Sequence, residues 1–212
     1  MMSSEEYARE RVTVTFEGQQ VVVAGHRGAG KSTWIQHVAD VLGSGVVFYD
    51  MNREHEHFDR YVPDHRRGDE MDAEADGVIG RLVVDNDPAR RPGAVVLEEA
   101  NRYVPNRGNI PESVGELVDL GRHYETAITD GVSVFYVTRR PAQLDADVME
   151  LADYLVVYRV RGKNDVKRLN DEAPGLGDAA RELDDYHYLL VRPDRSWVRM
   201  APVPEGDTTG SL

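Results

Sequence analysis

The sequence predicts an α/β domain built on a mainly parallel central sheet with helices on its faces. Three observations carry this prediction: short apolar runs of strand length recur along the chain, helical patterns separate most of them, and one run ends in a glycine-rich loop that opens a helix. The 212 residues suit one domain with a substantial core. We predict a single domain at residues 1–202, with a core at 11–170, a C-terminal helix and hairpin at 171–202, and a flexible tail at 203–212.

The first elements form a βαβ unit. Residues 11–16 alternate Val and Thr and predict a leading strand, which a turn at residues 17 and 18 separates from an apolar strand at 20–24. The glycine-rich loop and a helix follow. After a break at residues 43–45, the apolar run 46–50 predicts the next buried strand.

The rest of the chain repeats this alternation. Residues 52–76 are highly charged and predict a surface loop or a short helix, and residues 78–84 fit either a helix end or an edge strand. Strands are predicted at 94–97, 132–137, 154–158 and 166–169, helices at 111–124, 146–151 and 176–183, and a hairpin-like pair at 187–191 and 197–200. Such alternation places ligands at the carboxyl ends of the strands.

The composition is acidic and poor in lysine. The chain has 38 acidic and 25 basic residues and a net charge of −13, and 22 of the basic residues are arginine. Carboxylates hydrate well and a high net charge resists association, so this balance favours a source rich in salt. A genome rich in G and C would also explain the arginines, but it explains the acids less well.

The composition also excludes several kinds of site. There is no cysteine, which removes disulfides, thiolate catalysis and cysteine-bound zinc. The sequence contains no long apolar span and its first ten residues lack the order of a signal peptide, so we expect a soluble protein without a membrane span of its own. His55 and His57 alternate in a charged segment and do not share a helix face, so we favour a solvated polar loop over a metal site there.

The glycine-rich loop fits the phosphate-binding P-loop pattern G-x-x-x-x-G-K-[ST] at every fixed position. Its glycines let successive backbone N–H groups point inward, and the helix that follows adds the positive end of its dipole. Lys31 would reach the β- and γ-phosphates of a nucleotide, and the Ser32 hydroxyl would bind Mg²⁺. The predicted nucleotide-binding residues of the loop are Gly25, His26, Arg27, Gly28, Ala29, Gly30, Lys31, Ser32 and Thr33.

Two adjacent carboxylates follow the apolar run 94–97. A nucleoside triphosphatase needs a carboxylate near Mg²⁺ and a group that polarises the attacking water. Because neighbouring side chains at a strand end point in different directions, Glu98 and Glu99 can divide these tasks. We assign Glu98 to the metal, through water, and Glu99 to water activation, and the reversed assignment stays open.

Four segments in this order resemble the HerA/FtsK superfamily of P-loop ATPases. They are GHRGAGKST, AVVLEEANRYVPN, GRHY and VFYVTRRPAQLD, and together they extend over residues 21–158. Within that superfamily they look most like the genome-packaging ATPases of membrane-containing icosahedral viruses of archaea and bacteria. The resemblance implies a RecA-like (ASCE-type) fold.

The resemblance also implies roles for single residues. Glu98 takes the position that usually holds a metal-binding Asp, and Glu99 matches the catalytic Glu. Arg122 matches an arginine that such ATPases offer to the nucleotide of a neighbouring subunit, where a guanidinium stabilises charge on the γ-phosphoryl group. Thr138 matches a polar residue that senses the γ-phosphate. We place Arg139 near the nucleotide, although it or Arg140 could instead be a second finger or a DNA contact.

These observations favour an ATP-hydrolysing, Mg²⁺-dependent translocase that packages viral double-stranded DNA into a preformed capsid. Its expected partners are double-stranded DNA, further copies of itself in a hexameric or similar ring, and capsid-vertex or membrane proteins of the virion. We expect it in the host cytoplasm or at the packaging vertex of the virion. The alternatives are a cellular HerA/FtsK-like DNA-processing or conjugative ATPase, a nucleoside or small-molecule kinase, and a nucleotide-dependent capsid assembly factor that does not move DNA.

The acidic charge argues against unaided DNA binding, since that binding depends on neutralising phosphates. A ring, however, exposes only its lining to DNA, and arginines in a few loops could concentrate positive charge there. The arginines could equally be partners of the abundant surface acids. The candidate DNA-binding residues are Arg66, Arg67, Arg102 and Arg107.

Overall fold

The computed structural model describes residues 17–43 and 45–203. The predicted leading strand at 11–16 and residues 204–212 of the predicted tail lie outside the described residues. Within the described part, the strands are β1 (Gln20–Ala24), β2 (Val46–Tyr49), β3 (Arg60–Tyr61), β4 (Ala94–Leu97), β5 (Ser133–Thr138), β6 (Tyr154–Tyr158), β7 (Tyr188–Val191) and β8 (Trp197–Met200). The helices are α1 (Lys31–Leu42), α2 (Gly68–Ile79), α3 (Glu112–Leu120), α4 (Ala146–Leu151), α5 (Lys163–Glu172) and α6 (Leu176–Arg181).

The eight described strands form one sheet in the order β3-β2-β4-β5-β1-β6-β7-β8. The neighbours from β3 to β6 pair in parallel, and β7 and β8 extend the sheet as an antiparallel hairpin. The predicted fold class is therefore confirmed.

Helices cover both faces because alternate residues of each strand point to opposite sides. On one face, Val21 and Val23 of β1 are buried with Trp34 and Ile35 of α1. On the other face, Val22 belongs to a second core to which α2, α3, α4, α5 and α6 contribute. Strands buried on both faces are apolar throughout, which is why the continuous runs in the sequence located them.

The predicted strand at residues 166–169 is wrong, because this segment lies within α5. Leu169 and Ala173 are fully buried and Val166 packs against the same core. Their spacing of three and four residues gives a helix one apolar face, so the helical period decides the structure here.

The charged region after β2 is more ordered than its composition indicates. It contains β3 and the beginning of α2, and the helix continues from Gly80 to Val84 as a π-helical turn. Of the two predictions for residues 78–84, the helix end is the one confirmed. Among residues 17–43 and 45–203, no helix is both long and apolar enough to cross a membrane.

Candidate active site

The site lies where four parallel strands end at the same edge of the sheet. The register pairs Ala24 with Thr138 at the ends of β1 and β5, and Tyr49 with Leu97 at the ends of β2 and β4. The residues that follow these strands therefore meet along one edge, as expected for ligand sites in parallel sheets.

The glycine-rich loop is anchored to the two strands beside β1. Gly25 N–H donates to Thr138 O at 3.2 Å and His26 N–H donates to Arg159 O at 3.0 Å. Gly25 has φ 153°, and a Cβ there would lie 2.5 Å from the Cβ of Tyr158, so any larger residue would clash. The rest of the loop is free to curve over the beginning of α1, where backbone N–H groups favour an anion.

Lys31 is buried and spans this loop. Its Nζ donates to Gly25 O at 2.8 Å and to His26 O at 3.0 Å. Burial lowers the pKa of Lys31 to about 8, and the nearby carboxylates of Glu98 and Glu99 oppose that shift. Both carboxylates of the acidic pair therefore act electrostatically on the ammonium.

Ser32 contacts a carboxylate that the sequence did not point to. Its hydroxyl donates to Glu54 Oε2 at 2.9 Å. The backbone N–H of Glu54 in turn donates to Asp50 Oδ1 at 3.1 Å, and Asp50 follows directly on β2. The loop after β2 therefore places a carboxylate oxygen, a possible metal ligand, next to the Ser32 hydroxyl.

Glu98 is 2% exposed and its carboxylate is held on both oxygens. His55 Nε2 lies 3.0 Å from Oε1, and Asn52 Nδ2 donates to Oε2 at 3.3 Å. His55 is fully buried and its ring stacks on Phe48 at a centroid distance of 4.3 Å. The predicted solvated loop is therefore wrong for His55, because Phe48 and Glu98 bury it, while His57 is exposed.

Glu99 lies beside Glu98 but has a different partner. Arg139, directly after β5, places its Nε 2.5 Å from Glu99 Oε1, and its Nη2 donates to Asn52 Oδ1 at 3.5 Å. Glu99 has φ 52°, a conformation that non-glycine residues rarely adopt and that is found often at functional sites. The two carboxylates are thus separated, with one on His55 and one on Arg139.

Thr138 occupies the middle of the edge and is 1% exposed. Its hydroxyl donates to Asn101 Oδ1 at 2.9 Å and accepts from the backbone N–H of Arg140 at 3.1 Å. This polar contact connects the end of β5 with the turn that follows Glu99.

Arg122 lies at the other end of the strands, away from the P-loop. A Cβ on Gly18 would be 3.5 Å from the Cα of Arg122, and Val132 N–H donates to Gly121 O at 2.9 Å. Gly18 and Val132 precede β1 and β5, so Arg122 is at their amino ends and its side chain is exposed. Six residues lie between Gly18 and Gly25, and five of them form β1, so the two glycines are roughly 20 Å apart at the rise of a β-strand.

Most of the remaining predicted residues are at the surface, whereas Ala29 of the P-loop is buried, at 5% exposed. Arg27, Gly28 and Thr33 are exposed on the loop and on the first turn of α1. The four candidate DNA-binding arginines are exposed as well, and Arg102 Nη1 donates to Arg66 O at 3.1 Å. That contact brings the segment before α2 next to the turn after Glu99.

The donors at this edge suit Mg²⁺ in part. Hydroxyl and carboxylate oxygens are its usual protein ligands, and Ser32, Glu54 and Glu98 supply them. In the part of the chain that the structure describes, however, no three His, Asp or Glu side chains are grouped closely enough to hold a metal ion. Mg²⁺ bound here would complete its coordination with water or phosphate oxygens.

Sequence reasoning missed the loop after β2, which supplies Asp50, Asn52, Glu54 and His55. Their position was a usable signal, because they follow a buried strand predicted next to the P-loop unit. The charge of residues 52–76 instead predicts a surface loop or a short helix, and Asp50 falls in the predicted strand 46–50.

No protein-family model matches the chain, and no curated protein is significantly similar to it in sequence. The fold, however, resembles solved structures. The genome packaging NTPase B204 from Sulfolobus turreted icosahedral virus 2 in complex with AMPPCP has a TM-score of 0.67 at 16% identity, over 90% of this chain and 100% of that one. The ATP-gammaS complex of the same protein gives 0.68 at 15% identity, over 88% and 98%.

A second kind of protein shares the fold. The pCW3 conjugation coupling protein TcpA with ATPgS has a TM-score of 0.58 at 12% identity, over 94% of this chain and 68% of that one. At such identities the likeness establishes the fold, which is that of the RecA-like P-loop NTPases. The resemblance indicated by the four sequence segments is confirmed at this level.

Proposed function

We propose that this protein is a Mg²⁺-dependent ATPase that drives double-stranded DNA into a preformed viral capsid. The observation that carries the proposal is the placement of Lys31 on the loop after β1 and of Glu98 and Glu99 directly after β4, where these parallel strands end at one edge of the sheet. A cation and two separately held carboxylates are the groups that phosphoryl transfer to water requires.

ATP would bind with its phosphates in the curve of the P-loop. Lys31 would exchange its two carbonyl contacts for the β- and γ-phosphates. Ser32 and Glu98 would hold Mg²⁺, which neutralises charge on the phosphates. The Glu54 carboxylate lies next to the Ser32 hydroxyl, and it would accept hydrogen bonds from the water molecules around that ion. Glu98 would act through water, because His55 and Asn52 already occupy its two oxygens.

Glu99 is the proposed base that orients and activates the attacking water. Its carboxylate would have to leave Arg139 to do so, and the γ-phosphate offers Arg139 an alternative anionic partner. The nucleotide would in this way assemble its own catalytic site. Thr138 would hold the adjacent turn through Asn101.

Arg122 is the proposed finger for a neighbouring subunit. The length of β1 separates it from the P-loop of its own chain, and an arginine side chain is too short to cross that distance. An exposed arginine at the far edge fits a ring in which each subunit completes the next site. We propose a hexamer or a similar ring.

DNA packaging is supported by the likeness to B204, whose structure is described as that of a genome packaging NTPase. The contact between Arg102 and Arg66 places two exposed arginines side by side, and Arg67 is adjacent in sequence. We propose that these residues, with Arg107, contact the phosphate backbone inside a ring. The expected partners remain the DNA and vertex or membrane proteins of a virion, and the expected location is the host cytoplasm or the packaging vertex.

A conjugative or other DNA-processing motor is the second candidate, because the fold also resembles TcpA. Its site chemistry would be the same. The two candidates differ in the partner to which the motor docks. A pull-down with this protein, tested once with purified capsids and once with a conjugation complex, separates them.

ATP turnover with and without double-stranded DNA, across KCl concentrations up to molar, tests the proposal. We expect hydrolysis that double-stranded DNA stimulates and that Glu99→Gln removes. Turnover that DNA leaves unchanged would favour the capsid assembly factor, and no turnover under any condition would contradict an ATPase.

A further inference from the structure

An exposed tyrosine lies beside the P-loop in an unusual backbone conformation. Tyr186 is 59% exposed and has φ 63°. It is the third residue of a turn in which His187 N–H donates to Asp184 O at 3.3 Å, a position that favours Gly or Asn when φ is positive. A large aromatic residue that keeps such a conformation at the surface indicates a function for its ring.

The turn is tied to the P-loop. Arg159, directly after β6, pairs with the Asp185 carboxylate and donates through Nη1 to Leu183 O at 3.3 Å. Its Nε lies 3.3 Å from His26 Nε2 in the P-loop. Arg159 therefore holds the turn and the loop in one arrangement.

The ring of Tyr186 is next to the last glycine of the loop. A Cβ on Gly30 would lie 3.4 Å from Tyr186 Cδ1. His26, Ala29 and Arg159 form one side of a shallow cleft, and the residues of the turn form the other. Because Gly30 has no side chain, the aromatic ring can approach the beginning of α1.

The catalytic groups give a bound nucleotide a direction. Glu98, Glu99 and Arg139 follow β4 and β5, on one side of β1, and so the γ-phosphate must point to that side. The α-phosphate and the nucleoside must then point away from it. Tyr186 precedes β7, which lies on the other side of β1 beyond β6.

We infer that Tyr186 is the nucleoside-binding residue of this site and that its ring stacks on the base of the bound nucleoside triphosphate. The inference rests on the proposed function, because it assumes that the phosphates occupy the P-loop. Stacking on one face recognises a base by its π surface and so tolerates different bases. Arg159 keeps the ring in place before the nucleotide arrives.

The test compares a nucleotide with the same phosphates lacking a nucleoside. Isothermal titration calorimetry on the full chain measures the affinity for Mg·ATP and for Mg·tripolyphosphate in the wild type, Tyr186→Asn, Tyr186→Phe and Val41→Ala. Asn accepts a positive φ, so Tyr186→Asn removes the ring without straining the turn. Val41 is 75% exposed on α1 and provides the control for loss of an apolar surface side chain.

We expect Tyr186→Asn to weaken ATP binding about tenfold, the scale of one contact between a base and an aromatic ring, and to leave tripolyphosphate binding unchanged. Tyr186→Phe and Val41→Ala should bind both ligands as the wild type does. The inference is overturned if Tyr186→Asn binds ATP normally, if it loses both ligands equally, or if it changes only self-association, which would make the ring a subunit contact. A wild type that binds neither ligand would overturn the proposed function itself.

Discussion

The guanidinium of Arg139 and the carboxylate of Glu99 form an ion pair, with Arg139 Nε 2.5 Å from Glu99 Oε1. The pair joins the residue after β5 to the second residue after β4. Glu99 is 8% exposed, and Arg139 is the cation that contacts its buried carboxylate. Any role of Glu99 toward a water molecule therefore begins with a change at Arg139.

Glu99→Gln should retain Mg·ATP binding and lower kcat by about 100-fold or more, because the amide keeps the shape of the side chain and loses the base. Steady-state turnover and calorimetric ATP binding measure the two effects. Glu112→Gln, an exposed substitution on α3, provides the control. If Glu98→Gln traps ATP and Glu99→Gln turns over normally, the two roles are reversed.

Lys31→Met should change the pH dependence of stability. The pKa of Lys31 falls from 10.5 to about 8 in the folded protein, so between these values the folded state has released a proton that the unfolded state keeps. The free energy of unfolding of the wild type should rise with pH in that window, relative to Lys31→Met, by up to about 1.4 kcal/mol per pH unit.

Urea unfolding from about pH 7.5 to 9.5 measures this slope. Lys167→Met removes an exposed lysine of α5 and should follow the wild type. A parallel pH dependence in wild type and Lys31→Met would contradict the burial of the ammonium. Lys31→Met should also lose ATP binding.

His55→Phe should lower the free energy of unfolding by about 2 kcal/mol, because the aromatic ring can still pack on Phe48 while Glu98 loses a hydrogen-bond partner in a buried site. A double-mutant cycle with Glu98→Gln measures the coupling. We expect the second substitution to cost less in the His55→Phe background. Additive effects would show that the two side chains do not stabilise each other.

Arg122→Ala should bind ATP almost normally and fail to hydrolyse it, if Arg122 completes the site of a neighbour. Mixed with Glu99→Gln subunits, it should recover part of the turnover, because some interfaces then combine an intact Glu99 with an intact Arg122. No recovery at any ratio, in rings shown to exchange subunits, would contradict the finger in trans. A fully active monomer would end the ring proposal.

High salt should stabilise the protein, because screening relieves repulsion within a chain of net charge −13. The melting temperature and the ATPase rate should both rise from low salt to molar KCl. A melting temperature that is flat or falls over that range would remove the proposed adaptation to salt.

The sequence was sufficient for elements whose signal is local. The P-loop motif and the strands buried on both faces carry their pattern within a few residues, so they were located correctly. The strand predicted at 166–169 is wrong because four residues are too few to distinguish the period of a strand from that of a helix. The buried Leu169 and Ala173 are four residues apart, which is the helical spacing.

The site was predictable where it follows strands and unpredictable where it depends on distant partners. His55 is buried by Phe48 and Glu98, which come from different segments, and nothing near His55 in the sequence indicates those contacts. The pairing of Glu99 with Arg139 likewise arises only when β4 and β5 lie side by side. Such contacts are products of the tertiary structure, which local periodicity does not encode.

The two carbonyl oxygens that Lys31 contacts in its own loop compete with any anionic ligand for the ammonium. Binding becomes an exchange, because an anion gains the ammonium only by outcompeting Gly25 O and His26 O. A singly charged anion offers little more than those two dipoles, whereas a chain of phosphates offers several charges at once. The loop would in this way discriminate by charge before any other part of a ligand is recognised, and abundant monovalent anions such as chloride would be poor competitors even in concentrated salt.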